Sequence, residues 1–455
     1  MVKNLTVGNP ALLILSFALP LFIGNIFQQA YNITDAFIVG RTIGIHALAA
    51  VGCTGSLGFF IIGFMIGFCS GATVITSQKF GAGDMAGVRK SFTVIIAISI
   101  CLAVILTIIS VTFARSLLEF LRTPAEIIDS AHDYISIIFL GIPVAMLFNL
   151  LSFVMRAVGN SRMPLIFLAI SCVINIILDL FFIVVLRTGL RGVAFATVIS
   201  QLVAGVLCII YINKKMPVLK ITKDDWRKPN IFNKDDVIRH LKLALPVGFQ
   251  MSIIAIGTIT ITYALNQLGT VALAAFVTAS RIDMTATIIL SSFGMAMTTY
   301  SAQNFGANKP ERIRKGIFQV SIIACSYSII MALIFIFSGN FFPGIFLGKD
   351  QTEALVMAHR YLITSSSCYV FLALLFIIRQ SLQGLGDSFT PTLAGLMELT
   401  MRIFTALYLG SKFGFAGICF ANPLAWAGAL IPLCIALIIR MKKLLSQEPR
   451  SQLGT

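Results

Sequence analysis

Gln78-Lys79-Phe80-Gly81-Ala82 and Gln303-Asn304-Phe305-Gly306-Ala307 are two versions of one phrase, about 225 residues apart in a chain of 455. The pair has company. Ala18-Leu19-Pro20 returns as Ala244-Leu245-Pro246, Ala47-Leu48-Ala49-Ala50 as Ala272-Leu273-Ala274-Ala275, and Arg89-Lys90 as Arg314-Lys315. Toward the end of each half, Gly159-Asn160-Ser161 with Pro164 matches Gly386-Asp387-Ser388 with Pro391. Gly192-Val193-Ala194-Phe195-Ala196 likewise matches Gly417-Ile418-Cys419-Phe420-Ala421. Matches in one order at a near-constant spacing make the chain an internal duplication.

What is duplicated belongs in a bilayer. Hydrophobic residues are 58% of the sequence and charged residues 11%, and the mean hydropathy is +0.94, far more apolar than a soluble domain. Apolar stretches able to cross about 30 Å of hydrocarbon at about 1.5 Å per residue fall near 11–39, 47–76, 91–113, 133–156, 163–186 and 192–213 in the first half. The second half supplies 242–266, 271–301, 315–338, 357–382, 390–411 and 414–440. The expected fold is an all-α polytopic membrane protein, with twelve transmembrane helices in two pseudo-symmetric six-helix bundles. Six spans per half put both halves into the membrane from the same side, so the repeat is a parallel one. Open sheet would leave backbone unpaired in lipid, and the apolar runs lack the alternation of a barrel strand.

The chain accordingly divides into an N-terminal bundle (1–213), a linker (214–240), a C-terminal bundle (241–440) and a tail (441–455). Alternating Lys and Asp with Pro217 and Pro229 mark the linker, which has no apolar period. Of the 34 Lys and Arg, the larger share lies in the N-terminus, the even-numbered connections, the linker and the tail. That bias places both termini in the cytoplasm and accounts for the net charge of +16 without a nucleic-acid partner. Lys3 alone precedes an apolar run longer than a signal h-region, so the first segment reads as a retained helix. All nine cysteines fall in predicted spans as small packing residues.

Charged groups inside a bilayer are costly and need a reason. Asp35 lies late in the first span on a stripe with Asn25, Gln28 and Asn32, whose spacings of three and four put them on one face. In the fifth span Asn175 and Asp179 share a face, and Thr197 lies early in the sixth. Two carboxylates, an amide oxygen and a hydroxyl suit a small hard cation such as Na⁺. They suit a proton equally, since neighbouring carboxylates share one proton as a pair.

Asp283 in the eighth span is a candidate anchor for a cationic substrate, with Gln28, Asn32 and Glu398 as further substrate-binding candidates. Glu398 and Arg402 are four apart, which favours an internal ion pair. Arg379, near the cytoplasmic end of the tenth span, can snorkel to the interface. Pro20 and Pro246 recur at matching places and bend the first and seventh helices. Neither a nucleophile with its base, nor a phosphate-binding loop, nor a metal-ligand cluster stands out. No catalytic residue and no cofactor are expected, and the chain does not read as an enzyme.

Over essentially its whole length the chain resembles the multidrug and toxic compound extrusion (MATE) transporters, in their MepA- and DinF-like bacterial branch. The resemblance rests on the duplicated spans and the Ala-Leu-Pro openings. It rests also on Gln28-Gln29-Ala30-Tyr31-Asn32-Ile33-Thr34-Asp35, the Gln78 phrase with its copy, Arg156-Ala157-Val158-Gly159-Asn160, and the Asn175, Asp179 pair. It implies export of small organic cations or lipophilic drugs in exchange for Na⁺ or H⁺ across a bacterial or archaeal cytoplasmic membrane, and the chain is expected to be a monomer in contact with membrane lipid. It also implies a first-half cation site at Asp35, Asn175, Asp179 and Thr197, and a role in binding cationic drugs for Asp283. The alternatives are a lipid-linked sugar flippase of the same broad superfamily and a non-transporting membrane receptor or scaffold.

Overall fold

A computed structural model describes residues 3–221, 232–348 and 351–446. The middle of the expected linker and the end of the expected tail lie outside the described residues. Among the described residues ten helices are long and apolar enough to cross a bilayer, and two bent helix pairs, each taken as one span, bring the number to twelve. The protein is an integral membrane protein. Its first half runs Pro10–Thr42, Ile45–Ala72 with a short Val74–Gly81, Met85–Phe120, Ile128–Leu140 with Ile142–Ala157, Arg162–Leu180 and Leu190–Lys215. The second half repeats the order as Lys234–Asn266, Thr270–Gly306, Pro310–Phe337, Thr352–Ser366 with Tyr369–Gly384, Phe389–Phe404, and a last helix Ala421–Ser446.

The fourth and tenth spans, expected as single helices, are broken, with bends of 47° and 48°. Pro143 stands in the first turn of Ile142–Ala157 and has no N–H to continue the ladder from the helix before it. The tenth span breaks after Ser366 and Ser367, whose hydroxyls both donate to the Ile363 carbonyl. The fifth and eleventh spans also share a feature. Each ends in a π-helical turn, Phe181–Val185 in one and Thr405–Leu409 in the other.

The duplication extends to the turns. Gly44 and Gly269 open the second and eighth spans at φ 117° and 96°, and Gly189 and Gly414 sit at φ 62° and 57° after the π-helical turns. This backbone region is open to glycine at little cost. Gly83 has the same role after the Gln78 phrase, at φ 75°, but its counterpart is Asn308, at φ 53°. Asn is among the few other residues that tolerate the left-handed conformation.

The chain packs as two compact units. The first is Met1–Asn4 with Leu19–Ser252, the second Leu5–Ala18 with Ile253–Thr455. The opening turns of the first-span helix thus pack with the second unit, and those of the seventh-span helix with the first. The change of unit within the first-span helix falls beside Pro20, and that within the seventh-span helix lies shortly after Pro246.

Within the first unit Phe68, Phe92, Phe139, Met146, Leu151 and Met155 form a contiguous core that also takes in Ala244. The seventh-span helix comes close because the second span offers glycines. A Cβ at Gly67 would lie 2.5 Å from the Val247 carbonyl oxygen, and one at Gly71 2.6 Å from that of Leu243. Glycines four apart let two membrane helices meet backbone to backbone.

The repeated phrase has a structural use. In the second unit Gln303 Oε1 accepts from the Leu5 N–H at 3.0 Å, and Asn304 Nδ2 donates to the Leu5 carbonyl at 3.2 Å. Arg312 donates to the Gly8 carbonyl and Gln319 accepts from the Ala11 N–H. In the first unit the same region holds the start of the seventh-span helix. His240 Nε2 meets Ser91 Oγ at 2.9 Å, Ser91 meets Thr76, and Lys90 pairs with Asp236 at 2.6 Å. Each copy is a socket for the opening turns of a first helix, which carry backbone groups without helical partners.

Candidate functional site

The first unit gathers the four residues singled out for a cation. Asn175 and Asp179, one turn apart on the fifth span, are 1% and 0% exposed, while Asp35 and Thr197 are half-buried. The carboxyls of Asp35 and Asp179 lie within interaction range of each other. Thr197 Oγ1 donates to the Val193 carbonyl at 3.1 Å and meets Asn175 Nδ2 at 3.5 Å and Tyr31 Oη at 3.2 Å. Since the Thr197 hydroxyl has one proton and gives it to Val193, Tyr31 is the donor in their contact.

Tyr31 and Tyr134 both lie within electrostatic reach of Asp35 and Asp179. Neither tyrosine was among the residues picked out as ligands. Tyr31 could have been, since it precedes Asp35 by one turn and shares its face. Nothing local marks Tyr134, whose place in the site depends on how the broken fourth span packs. Asp35 Oδ1 is buried with no hydrogen-bond partner, and the other donors of the set are oxygens, so the group fits a proton or a hard cation as the transported ion. On the same stripe Gln28 and Asn32 are exposed and Asn25 half-buried.

The second unit has two polar clusters. Asp283, nearly buried, accepts at Oδ1 from Ser365 Oγ at 2.6 Å and from Tyr369 Oη at 2.7 Å. These donors flank the break in the tenth span, so the bend is what turns both toward one carboxylate. Arg281, two residues before Asp283, is exposed and faces elsewhere.

Nearby lies a buried ion triad. Glu398, 2% exposed, meets Arg402 Nη2 at 3.4 Å through Oε2 and Arg379 Nη2 through Oε1. The expected snorkelling of Arg379 is corrected here. It is 3% exposed, because its guanidinium turns inward to a carboxylate on the next span rather than outward to the interface. The network continues from Arg402 Nε to Asn422 Oδ1 at 3.1 Å and from Asn422 Nδ2 to Tyr361 Oη at 3.1 Å. Tyr361 in turn lies within electrostatic reach of Asp283.

The fold and these clusters can be set beside known proteins. The chain is similar to the probable multidrug resistance protein YoeA of Bacillus subtilis (strain 168), at 27% identity over 91% of this chain and 90% of that one. It is 24% identical to the multidrug export protein MepA of Staphylococcus haemolyticus (strain JCSC1435), over 88% of this chain and 87% of that one. A MATE transporter solved in a bent conformation superposes with a TM-score of 0.90 at 21% identity, covering 98% of both chains. A multidrug resistance MATE family transporter of the MOP superfamily, solved outward-facing, gives 0.89 at 21% identity over 98% of both chains. The profile of the MatE family fits twice, over residues 20–181 and again over 246–408, once in each half of the duplication. With both halves matched, and with a fold shared along nearly its whole length, the chain belongs to the MatE family.

Proposed function

We propose that the protein is a multidrug efflux antiporter, exporting cationic and lipophilic organic compounds in exchange for Na⁺ or H⁺ by alternating access. Members of its family are transporters and not enzymes, and the names of its relatives support drug-like substrates. The observation that supports the coupling is that two carboxyls, Asp35 and Asp179, lie within interaction range of each other, with Asp179 fully buried and Asp35 Oδ1 buried. Two neighbouring buried carboxyls share one proton as a pair, and without it two adjacent anions require a cation. A site with Asp35, Asn175, Asp179 and Thr197 around it therefore changes its preferred arrangement with its load. Binding one load on one side and another on the opposite side drives exchange only through differential affinity for the two states. One inward positive charge contributes about 2.3 kcal/mol per 100 mV of membrane potential.

Asp283 is the acceptor for cationic drugs in this reading. Ser365 and Tyr369 both hold Oδ1, which leaves Oδ2 to the ligand. Gln28 and Asn32 are exposed polar groups for the same cargo. Glu398 serves instead as the counter-ion of Arg379 and Arg402. In this reading both termini lie in the cytoplasm, in keeping with the bias of Lys and Arg among the loops.

Ethidium efflux from proteoliposomes under an imposed Na⁺ or pH gradient tests the reading. We expect efflux driven by one gradient in the wild type and lost in Asp35→Asn. No gradient-driven efflux of any cationic dye would overturn drug export.

A further inference from the structure

We infer that the first unit binds an anionic phospholipid, with one acyl chain in a groove between the third, fourth and sixth spans and the headgroup on Lys214, Lys215 and Lys220. The groove has a volume of about 470 Å³. Its long wall is one face of the Met85–Phe120 helix, where Phe92, Ile96, Ile100 and Val104 recur every fourth residue. Ser99 and Ala103 lie between them, and their small side chains make the depression. Ile100 and Val104 are 59% and 49% exposed, so the groove opens along its length on the outer surface of the helix.

A greasy furrow on a membrane protein is ordinarily wetted by whatever lipid passes. Two features give this one a preferred occupant. Its lining continues past the end of the sixth span to Leu219 and Ile221, so the groove reaches the end of that helix. At that end the lining turns polar at Asn213, and the residues next in the chain are Lys214 and Lys215, followed by Lys220, all three exposed. Basic residues clustered at the end of a span attract anionic headgroups, and by the distribution of basic loops this end faces the cytoplasmic leaflet. Apolar groove, polar step and cationic mouth follow the order of acyl chain, glycerol ester and phosphate.

The test is native mass spectrometry of the full chain released from mixed micelles containing phosphatidylglycerol and phosphatidylcholine. We expect the wild type to retain phosphatidylglycerol over phosphatidylcholine. Changing Lys214, Lys215 and Lys220 together to Gln should reduce that preference by on the order of tenfold or more. Val104→Trp, which fills the groove from its exposed side, should reduce retention of both lipids. The lysine variant lies at exposed positions and decides the matter even if Val104→Trp does not fold. Equal retention of the two lipids by the wild type would overturn the proposal, as would an unchanged preference in the lysine variant. Displacement of the retained lipid by ethidium, which would make the groove a drug site, would overturn it too.

Discussion

Asp283 and Tyr369 stand 86 residues apart in the chain and on different helices, yet the tyrosine hydroxyl donates to the carboxylate at 2.7 Å. The break in the tenth span makes this contact, and Ser365 on the other side of the break repeats it. A carboxylate held by two donors on one oxygen presents the other in a fixed direction. Tyr369→Phe removes one donor. A hydrogen bond to a charged group is worth about 1.5–3 kcal/mol, so we expect the KM for a monovalent cationic dye to rise by roughly tenfold or more with a smaller change in maximal rate. Asp283→Asn should abolish transport of cationic dyes while sparing a neutral lipophilic one. Dye kinetics in vesicles check both.

Asp35 and Asp179 act as one site in the proposed cycle, so their losses should not add. Asp35→Asn and Asp179→Asn each are expected to abolish gradient-driven efflux, and the double variant should be no worse than either. Thr197→Val, which removes a neutral ligand and leaves both carboxyls, should weaken driven efflux without abolishing it. Losses that multiply in the double variant would mean two independent sites.

The Arg379–Glu398–Arg402 triad gives a prediction about stability. Glu398→Gln leaves two guanidinium groups buried without their anion, and breaking a buried pair in this way costs about 3–5 kcal/mol. Its melting temperature in detergent should fall well below that of the wild type. Replacing all three residues by Met should recover most of the loss, because no buried charge then remains. A wild-type melting temperature for Glu398→Gln would sink this account of the cluster.

Asp84 caps the third-span helix. It accepts from the Gly87 N–H at 2.8 Å and from Lys79 Nζ at 3.0 Å, and these partners, the backbone N–H first, hold its carboxyl below the ordinary value of 3.8. A depressed value means that the capping contribution is complete above the unfolded value and fades as the pH falls through the folded one. The stability difference between wild type and Asp84→Ala should therefore stay constant from neutral pH down to about 5, then shrink below about 4. Denaturation at a series of pH values reads it directly. A difference that grows on acidification would contradict the sign.

Gly71 tests the close approach of the seventh-span helix. With the Leu243 carbonyl oxygen 2.6 Å from any Cβ placed there, Gly71→Leu should destabilise by about 1–3 kcal/mol, as overpacking does. Gly58→Ala, also in the second span but with nothing within 4 Å of the added carbon, should be neutral or slightly stabilising. Thermal shift of the purified variants separates the two.

Much of this was legible along the chain because it depends on local period. The spans follow from apolar length, the two halves from the repeated phrases, and the face shared by Asn175 and Asp179 from helical spacing alone. Other features needed knowledge of which helix faces which. Arg379 looks like an interfacial residue until the eleventh span is placed beside the tenth, and then its partner is Glu398. Tyr134 lies within reach of Asp35 and Asp179 only through the packing of a broken helix. Pro143 did announce that break, but inside a continuous apolar run the length of the run hides it. The use of the repeated phrase was invisible for a similar reason, since Gln303 and Asn304 hold Leu5, almost 300 residues away in the chain.

The exchange of opening turns bears on how such a protein is made. The first unit is complete only once residues through Ser252 have been synthesised, and the second reaches back to Leu5. A ribosome therefore cannot finish one unit and move on to the next, because the earliest turns of the nascent chain wait for partners translated about 300 residues later. Cutting the gene within the linker would yield two polypeptides, each lacking a piece that the other carries, and only co-expression would restore both. A half-length chain built on this plan would work as a pair, each copy lending the start of its first helix to its neighbour, and joining two such genes would make that loan permanent.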